Sequence, residues 1–350
     1  MAPPSKSAKL VDISGELKKI IDADFDKASA RRRAREAFKD VQLSIDHCLF
    51  KIPTQGLKLH EKYEKNSRGV EIFSKSWVPD SHPPKAVICY CHGYGESCTF
   101  FFEGTARKLA LAGYGVYAMD YQGFGLSDGL HGYIPSFERL VDDVIEHYSK
   151  VKAEKPEFDA LPSFLFGQSM GGAVALKVHL KQPKAWSGAI LLAPMCKIAD
   201  DLRPSFIMTR ILIALSKALP KSKLVPTKDL DDIAFREKKE LTAYNIIAYK
   251  DKPRLKTAVE LLRTTDEIER RMQEVYLPML ILHGEADAVT DPSVSKALYE
   301  KASSTDKKLN IYKDSYHQLL EGEPDEVIFG VFNDIISWLD DHTSKDTNLH

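Results

Sequence analysis

Short apolar runs alternate with longer amphipathic stretches along most of the chain. After an opening hairpin, Glu61–Lys65 with Val70–Val78, the apolar runs are typical of buried parallel strands. These predicted strands are Ala86–Cys91, Tyr114–Met119, Pro162–Phe166, Gly188–Leu192, Pro278–Leu282 and Lys308–Tyr312. Helical patterns cover about residues 100–112, 136–153, 170–181 and 325–342. The alternation predicts an α/β fold, a mostly parallel, doubly wound sheet with helices on both faces.

One long interval breaks this alternation. Residues 195–276 contain no convincing strand pattern but have helical runs such as Ser205–Leu219, which stops at Pro220. Because a crossover between strands needs far fewer residues, the interval predicts a helical cap inserted over one edge of the sheet. Ser205–Leu219 is apolar on most sides, and two interpretations stay open. It is a helix packed on the domain below, or a lid whose apolar face makes a peripheral contact with lipid or acyl chains.

The two ends of the chain differ in composition from the predicted core, which comprises residues 61–194 and 277–342. Residues 1–60 are charged and helix-permissive and include a basic cluster at 31–35. We expect a helical extension whose cluster pairs with neighbouring acidic residues on a solvated face, and contact with acidic lipid head groups is the alternative. Residues 343–350 form a polar tail.

Composition excludes several classes of protein. The net charge of the 350 residues is −1, so no overall field favours nucleic acid. The five cysteines are scattered, form neither a disulfide framework nor a zinc pattern, and indicate a reducing compartment. No run of 18 apolar residues occurs, and the first residues lack a signal-peptide core. We expect a cytoplasmic protein with no metal or cofactor.

The motif Gly167-Gln168-Ser169-Met170-Gly171 lies between a predicted strand and a predicted helix. In a G-x-S-x-G elbow, the sharp strand-to-helix turn pushes the serine Oγ out of the sheet edge. Flanking glycines are needed because a Cβ there would crowd the turn. The pattern alone is weak, but in this context it predicts that Ser169 is a nucleophile.

A serine nucleophile needs a base that takes its proton and an acid that orients the base. In a doubly wound sheet both are expected just beyond the carboxyl ends of later strands. Asp287 follows the strand Pro278–Leu282, and His317 follows the last predicted strand. The order Ser169, Asp287, His317 is the one this kind of fold uses, so we predict Asp287 as the acid and His317 as the base.

Three neighbouring residues are rival candidates. Asp291 precedes Pro292 at a helix start, where an acidic N-cap is the ordinary explanation. Glu285 lies very close to the strand end and is a poor fit for reaching the base. His283 sits at the strand end beside Gly284, where a structural hydrogen bond is the simpler interpretation.

Backbone donors are also needed for the oxyanion of a tetrahedral intermediate. We predict the N–H of Met170, directly after the nucleophile, and the N–H of Tyr94 in the loop His92-Gly93-Tyr94-Gly95-Glu96. The two glycines of that loop let its backbone approach the substrate. The loop Asp120–Gly129 lacks the Lys-Ser/Thr ending and the third glycine of nucleotide-binding patterns, so we interpret it as a structural support of the site.

Together these motifs resemble the serine-hydrolase branch of the α/β-hydrolase fold, specifically the monoacylglycerol lipase and lysophospholipase family. The resemblance covers about residues 60–342. It rests on H-G-Y-G-E at 92–96, D-Y-Q-G-F-G-L-S-D-G at 120–129, G-Q-S-M-G-G at 167–172, H-G-E-A-D at 283–287 and Y-H at 316–317. The N-terminal extension and the acidic stretch at 319–326 are similar to plant members, a group that includes caffeoylshikimate esterase.

The resemblance implies an acyl-serine mechanism with the residues predicted above. It also implies that Glu96 contacts a glycerol head group, although the arginine that follows in the animal enzymes is Phe100 here and their second histidine is Leu320. Phe100 suits an aromatic acyl group, although a run of phenylalanines is more often plain core, and Glu96 and Phe100 are the candidate substrate-binding residues. The implied substrates are monoacylglycerols or lysophospholipids. Hydroxycinnamoyl esters, acyl transfer to an alcohol and a small-molecule receptor role are alternatives, and the oligomeric state stays open.

Overall fold

The fold is built around an eight-stranded sheet. The structure is a computed structural model that describes residues 20, 22–154, 160–198, 205–225, 234–236 and 239–344. Its strands are β1 (Leu57–Lys65), β2 (Glu71–Pro79), β3 (Val87–Cys91), β4 (Gly115–Met119), β5 (Ser163–Gln168), β6 (Gly188–Leu192), β7 (Met279–Gly284) and β8 (Lys307–Tyr312). The order across the sheet is β1-β2-β4-β3-β5-β6-β7-β8. Only the pairs β1–β2 and β2–β4 are antiparallel.

Helices cover both faces of this sheet. They are α1 (Ala28–Leu43), α2 (Phe101–Leu111), α3 (Phe137–Ala153), α4 (Met170–Lys181), α5 (Phe206–Ala218), α6 (Leu255–Arg271), α7 (Pro292–Lys301) and α8 (Asp325–Ser344), with 3₁₀ turns at Lys239–Tyr244 and Met272–Glu274. Successive residues of a strand point to opposite faces. In β3, Ile88 belongs to one apolar cluster and Cys89 to the other, and both are fully buried. Burial on two faces explains the continuous apolar runs and confirms the α/β fold.

The first strand is longer than the sequence predicts. β1 begins at Leu57 and pairs with β2 over its whole length, from Leu57 with Pro79 to Lys65 with Glu71. β1 is an edge strand, and apart from Leu57 and Leu59 its first half carries polar side chains that are exposed. An edge strand open to solvent needs no apolar run, so the hydrophobic pattern locates its start poorly. The last helix likewise ends at Ser344 instead of 342, inside the predicted tail, whose residues 345–350 lie outside the described residues.

The expectation of a solvated basic face on the N-terminal helix is wrong for Arg31. This residue is 0% exposed, and its guanidinium donates to the carbonyls of Gly125 (2.5 Å) and Ser127 (2.7 Å). Arg31 lies one turn before Ala34, which packs in the core together with Phe38, so it shares their buried face. The helical spacing of apolar residues predicts the helix, but it does not indicate which side of the helix the loop Asp120–Gly129 covers. Residues 1–19 lie outside the described residues.

Within the interval 195–276, the described residues form α5, α6 and the two 3₁₀ turns and contain no strand. α6 is joined to α3 and to the segment before it, since Glu260 accepts from the N–H of Phe137 (2.9 Å) and Thr257 Oγ1 from that of Ile134 (2.9 Å). α5 packs against α6 but leaves an apolar face in solvent. No helix within the described ranges combines the length and apolarity needed to cross a membrane.

Candidate active site

Ser169 occupies a strained turn between β5 and α4. Its φ of 54° and ψ of −119° are unusual for a residue with a side chain. Its N–H donates to the carbonyl of Leu192 (2.9 Å), and its own carbonyl accepts from the N–H of Met195 (2.9 Å), which holds the turn in place. A Cβ at Gly171 would stand 1.8 Å from the carbonyl oxygen of Cys91. The glycine of the motif is therefore required by the close approach of β3, and the turn has the predicted geometry of an elbow.

The predicted base and acid are bonded to each other. His317 Nδ1 lies 2.6 Å from Asp287 Oδ2, and both side chains are buried. The bond leaves Nε2 as the ring nitrogen that can accept a proton. His317 also lies beside the elbow, because the residue that follows it, Gln318, accepts a 2.6 Å hydrogen bond from Gln168, the residue before Ser169. The loops after β5 and β8 thus meet where the sequence predicted.

The carboxylate of Asp287 is fixed by further hydrogen bonds. Its Oδ1 accepts from the N–H groups of Val289 (2.8 Å) and Thr290 (3.0 Å). The hydroxyl of Thr290 lies 3.0 Å from Asp287 Oδ2 and 3.2 Å from His317 Nδ1. Thr290 therefore orients the acid and the base together, and no motif signalled it.

The rival candidates take structural positions. Asp291 caps α7 by accepting from the N–H of Ser293 at 2.7 Å, as the N-cap interpretation predicted. Glu285 accepts from the N–H of Asp314 at 3.3 Å. His283 contacts Ser295 Oγ (2.6 Å) through Nδ1, and its Nε2 lies 2.7 Å from the Thr290 carbonyl and 3.0 Å from Asp287 Oδ2. His283 thus contacts the same carboxylate oxygen of Asp287 as His317 does.

The electrostatics of the pair suit a base and its orienting acid. Burial lowers the pKa of His317, but the charge of Asp287 and the hydrogen bond to it, with a contribution from Glu96, raise the pKa above its ordinary 6.5. Burial raises the pKa of Asp287. The charge of His317 and the hydrogen bonds from both histidines have a larger, opposite effect, so the pKa lies far below its ordinary value. Asp287 is ionised throughout the physiological range.

The predicted oxyanion donors are oriented by well-defined loops. Within the described residues, neither the Tyr94 N–H nor the Met170 N–H donates a hydrogen bond. Gly95 lies at φ +82°, and a Cβ there would come within 2.5 Å of the Tyr249 carbonyl. The N–H of Tyr249 in turn donates to the Gly95 carbonyl (2.8 Å). The glycine turn is held against the segment that precedes α6.

The loop Asp120–Gly129 supports the site, as predicted. Asp120 is fully buried and accepts from the N–H groups of Cys98 and Leu126, each at 2.7 Å. It thereby ties this loop to the segment that follows the oxyanion loop. Burial raises the pKa of Asp120 to about 6, although these hydrogen bonds act in the opposite direction. The aspartate is a structural group, since protein donors satisfy both of its oxygens.

The side chains of the two candidate substrate-binding residues contact other protein groups, which differs from the expected contact with substrate. Glu96 points its carboxylate into the protein, where Oε2 accepts from the N–H of Gly93 (2.9 Å) and Oε1 from Gln318 Nε2 (2.9 Å). Phe100 is 4% exposed, and its ring packs against Phe50 and Phe101 in the core. The prediction that Phe100 contacts substrate therefore gains no support. A three-phenylalanine run carries no signal that separates core packing from an acyl pocket.

Comparison with known proteins agrees with this geometry. The family model described as Serine aminopeptidase, S33 (Hydrolase_4) matches residues 82–325. A caffeoylshikimate esterase from Arabidopsis thaliana is 36% identical over 299 residues, 83% of this chain and 88% of that protein. A monoglyceride lipase from Homo sapiens is 32% identical over 283 residues, 80% of this chain and 90% of that protein.

A solved structure supports the fold. The crystal structure of a soluble variant of monoglyceride lipase from Saccharomyces cerevisiae, in complex with a substrate analog, superposes with a TM-score of 0.70 at 22% identity. The likeness covers 83% of this chain and 97% of that one. From the sheet order, the elbow and the sequence relatives, the chain belongs to the serine aminopeptidase S33 family of α/β-hydrolase fold and is a carboxylic ester hydrolase of the monoacylglycerol lipase type.

Proposed function

We propose that Ser169, His317 and Asp287 hydrolyse esters through an acyl-serine intermediate. His317 Nε2 takes the proton of Ser169 Oγ as the oxygen attacks the ester carbonyl, and then gives it to the departing alcohol. The N–H groups of Tyr94 and Met170 stabilise the oxyanion. A water molecule, deprotonated by His317 in the same way, then attacks the acyl-serine and releases the carboxylic acid. The 2.6 Å bond between His317 and Asp287, beside the strained serine, is the observation that carries the proposal.

Replacing the nucleophile tests this mechanism. Ser169→Ala should abolish turnover of a soluble p-nitrophenyl ester and labelling by a fluorophosphonate probe. Its thermal unfolding midpoint should remain close to that of the wild type. Retained turnover would overturn the assignment of the nucleophile.

The substrates that we propose are monoacylglycerols or lysophospholipids. The similarity to monoglyceride lipases over most of the chain supports this class. Hydroxycinnamoyl esters are the second candidate, because the Arabidopsis caffeoylshikimate esterase is 36% identical. Rates on monoacylglycerol, lysophosphatidylcholine and caffeoylshikimate, measured side by side, decide between them. A kcat/KM on caffeoylshikimate above that on both lipids would replace the first candidate by the second, and ester exchange with an added alcohol would reveal acyl transfer.

We further propose that residues 195–276 act as a cap whose helix α5 contacts a lipid surface peripherally. Phe206 and Ile207 are 73% and 71% exposed, and Met208 and Ile211 are exposed beside them. Single exposed apolar residues are common, but a group on one helix supports a contact surface. Such a contact would bring ester substrates directly from the lipid phase to the site.

A further inference from the structure

Three loops carry the proposed catalytic groups, and each follows a different strand. Tyr94 follows β3, Ser169 follows β5 and His317 follows β8. Parallel pairing of β3 with β5 aligns two of the strand ends, whereas β8 lies three positions away from β5 in the sheet. Some further contact must therefore set the position of the base loop relative to the other two.

Side chains next to the three catalytic groups meet in one hydrogen-bonded cluster of Glu96, Gln168 and Gln318. Gln168 Nε2 donates to Gln318 Oε1 over 2.6 Å, and Gln318 Nε2 donates to Glu96 Oε1 over 2.9 Å. Gln168 Nε2 also lies 3.4 Å from the same carboxylate oxygen. The cluster thus joins the residue before Ser169 to the residue after His317 and to the oxyanion loop.

Both ends of this cluster are anchored in β3 and the loop that follows it. Tyr90 Oη donates to Gln168 Oε1 at 3.2 Å. Glu96 Oε2 accepts from the N–H of Gly93 at 2.9 Å, in the residue before Tyr94. Every donor in the series faces an acceptor, so the contacts fix the orientation of both amides.

Burial makes the cluster sensitive to the loss of a member. Gln168 is 2% exposed and Gln318 is 8% exposed, so water cannot readily replace a lost partner. Glu321 is buried nearby, and burial first and the charge of Glu96 second raise its pKa well above the ordinary value. Three N–H groups face the carboxylate of Glu96, those of Gly93, Gln318 and Gln168.

We propose that Glu96, Gln168 and Gln318 are positioning residues that hold the oxyanion loop, the elbow and the base loop in the arrangement needed for ester hydrolysis. This inference rests on the proposed function of Ser169 and His317. It assigns Glu96 to the scaffold of the site, in agreement with the engagement of both its oxygens by the protein. Small displacements of catalytic groups cost as much as about 100-fold in rate, so loss of the cluster should act on kcat.

Gln318→Met tests the proposal, because methionine keeps the length of the side chain and removes both hydrogen bonds. We expect kcat on a soluble p-nitrophenyl ester to fall about 10- to 100-fold, with KM changed less than about threefold. Glu96→Met removes both acceptor oxygens at the other end of the cluster and should lower kcat in the same way. Gln168→Met combined with Gln318→Met should lose little more than the worse single variant, because the two contact each other.

Gln273→Met is the matched control, since Gln273 is exposed on a 3₁₀ turn, and it should match the wild type. If Gln318→Met does not fold, Gln318→Asn replaces it, because an amide one methylene shorter cannot make both contacts. A kcat within about twofold of wild type in the folded variant, or a rise in KM alone, would overturn the proposal. Ester hydrolysis by Ser169→Ala would refute the proposed function, whatever the result for Gln318→Met. An inactive Ser169→Ala together with an unchanged kcat of Gln318→Met would refute the positioning role alone.

Discussion

The hydrogen bonds of Asp287 determine how the base is presented. Its Oδ1 is occupied by two backbone N–H groups, so Oδ2 is the oxygen that faces His317. An ionised carboxylate only accepts, and it therefore fixes a proton on His317 Nδ1 and leaves Nε2 free to act as base. The acid works by selecting a tautomer as well as by its charge.

Asp287→Asn should lower kcat by about 10⁴-fold, as loss of the orienting acid does in serine hydrolases. The two backbone N–H groups would keep the amide oxygen at the Oδ1 position and turn the NH₂ group toward His317, which favours the wrong tautomer. Steady-state kinetics on a soluble ester measure the effect. Asp291→Asn is the matched control, because asparagine caps helices as well as aspartate does, and its kcat should be near that of wild type. Greater damage from Asp291→Asn would reverse the assignment.

The pH dependence follows from the raised pKa of His317. The base works only when neutral, so kcat/KM should fall as the pH drops through that pKa. Because the charge of Asp287 and its hydrogen bond raise the pKa, the midpoint of this acidic limb should lie above 6.5. Thermal unfolding at the same pH values checks that the protein stays folded. An acidic limb centred well below 6.5, with the fold intact, would contradict this prediction.

Single residues could be predicted where a motif tied them to the end of a strand. Ser169, Asp287 and His317 were predicted in this way, and the structure brings them to one edge of the sheet. Thr290 was missed because a threonine in a polar loop has no pattern of its own. Phe100 packs in the core, and its sequence context could not show this, because sequence gives the apolarity of a residue but not the surface that it packs against.

At the scale of elements, α5 departs from the usual amphipathic helix. Ser205 caps it by accepting from the N–H of Met208, and the helix is apolar on most sides. Only one side of it packs against α6, which leaves Phe206, Ile207, Ile211 and Leu215 exposed. The sequence left open whether this helix packs or meets lipid, and the structure has both a packed and an open side.

Charged residues on the open side of α5 should weaken binding to lipid. Phe206→Asp combined with Ile207→Asp should lower co-sedimentation with phosphatidylcholine vesicles at least about tenfold, because two large side chains lose their transfer free energy. Hydrolysis of a soluble ester should be unchanged. Leu111→Asp, at the end of α2, replaces an exposed leucine elsewhere and serves as the control. Equal vesicle binding by all three proteins would refute the lipid contact.

At the scale of the whole molecule, the N-terminal segment joins parts that are distant in sequence. Arg31 binds the carbonyls of the loop Asp120–Gly129, and Asp26 pairs with Arg254 next to α6 at 2.6 Å. His47 contacts the carbonyl of Glu321, close to the base loop, at 2.9 Å. Residues 22–60 are thus part of the folded unit, although their charged composition set them apart in the sequence.

Arg31→Met should destabilise the protein by about 3 kcal/mol, because it leaves buried carbonyls without their charged donor. Chemical denaturation followed by circular dichroism measures the change. Arg33→Met removes an exposed charge from the same helix and should stay within about 0.5 kcal/mol of wild type. If the two variants were equally stable, the helix would not depend on its buried arginine.

The sequence by itself determined the α/β alternation, the elbow and the strand ends that carry the acid and the base. Local spacing and backbone geometry encode these features, since apolar periodicity and glycine requirements act over a few residues. The tertiary structure alone decided which face of α1 is buried, where Phe100 packs, and that Glu96, Gln168 and Gln318 meet. These depend on contacts between residues as many as 222 positions apart, and no local pattern records a partner at that distance.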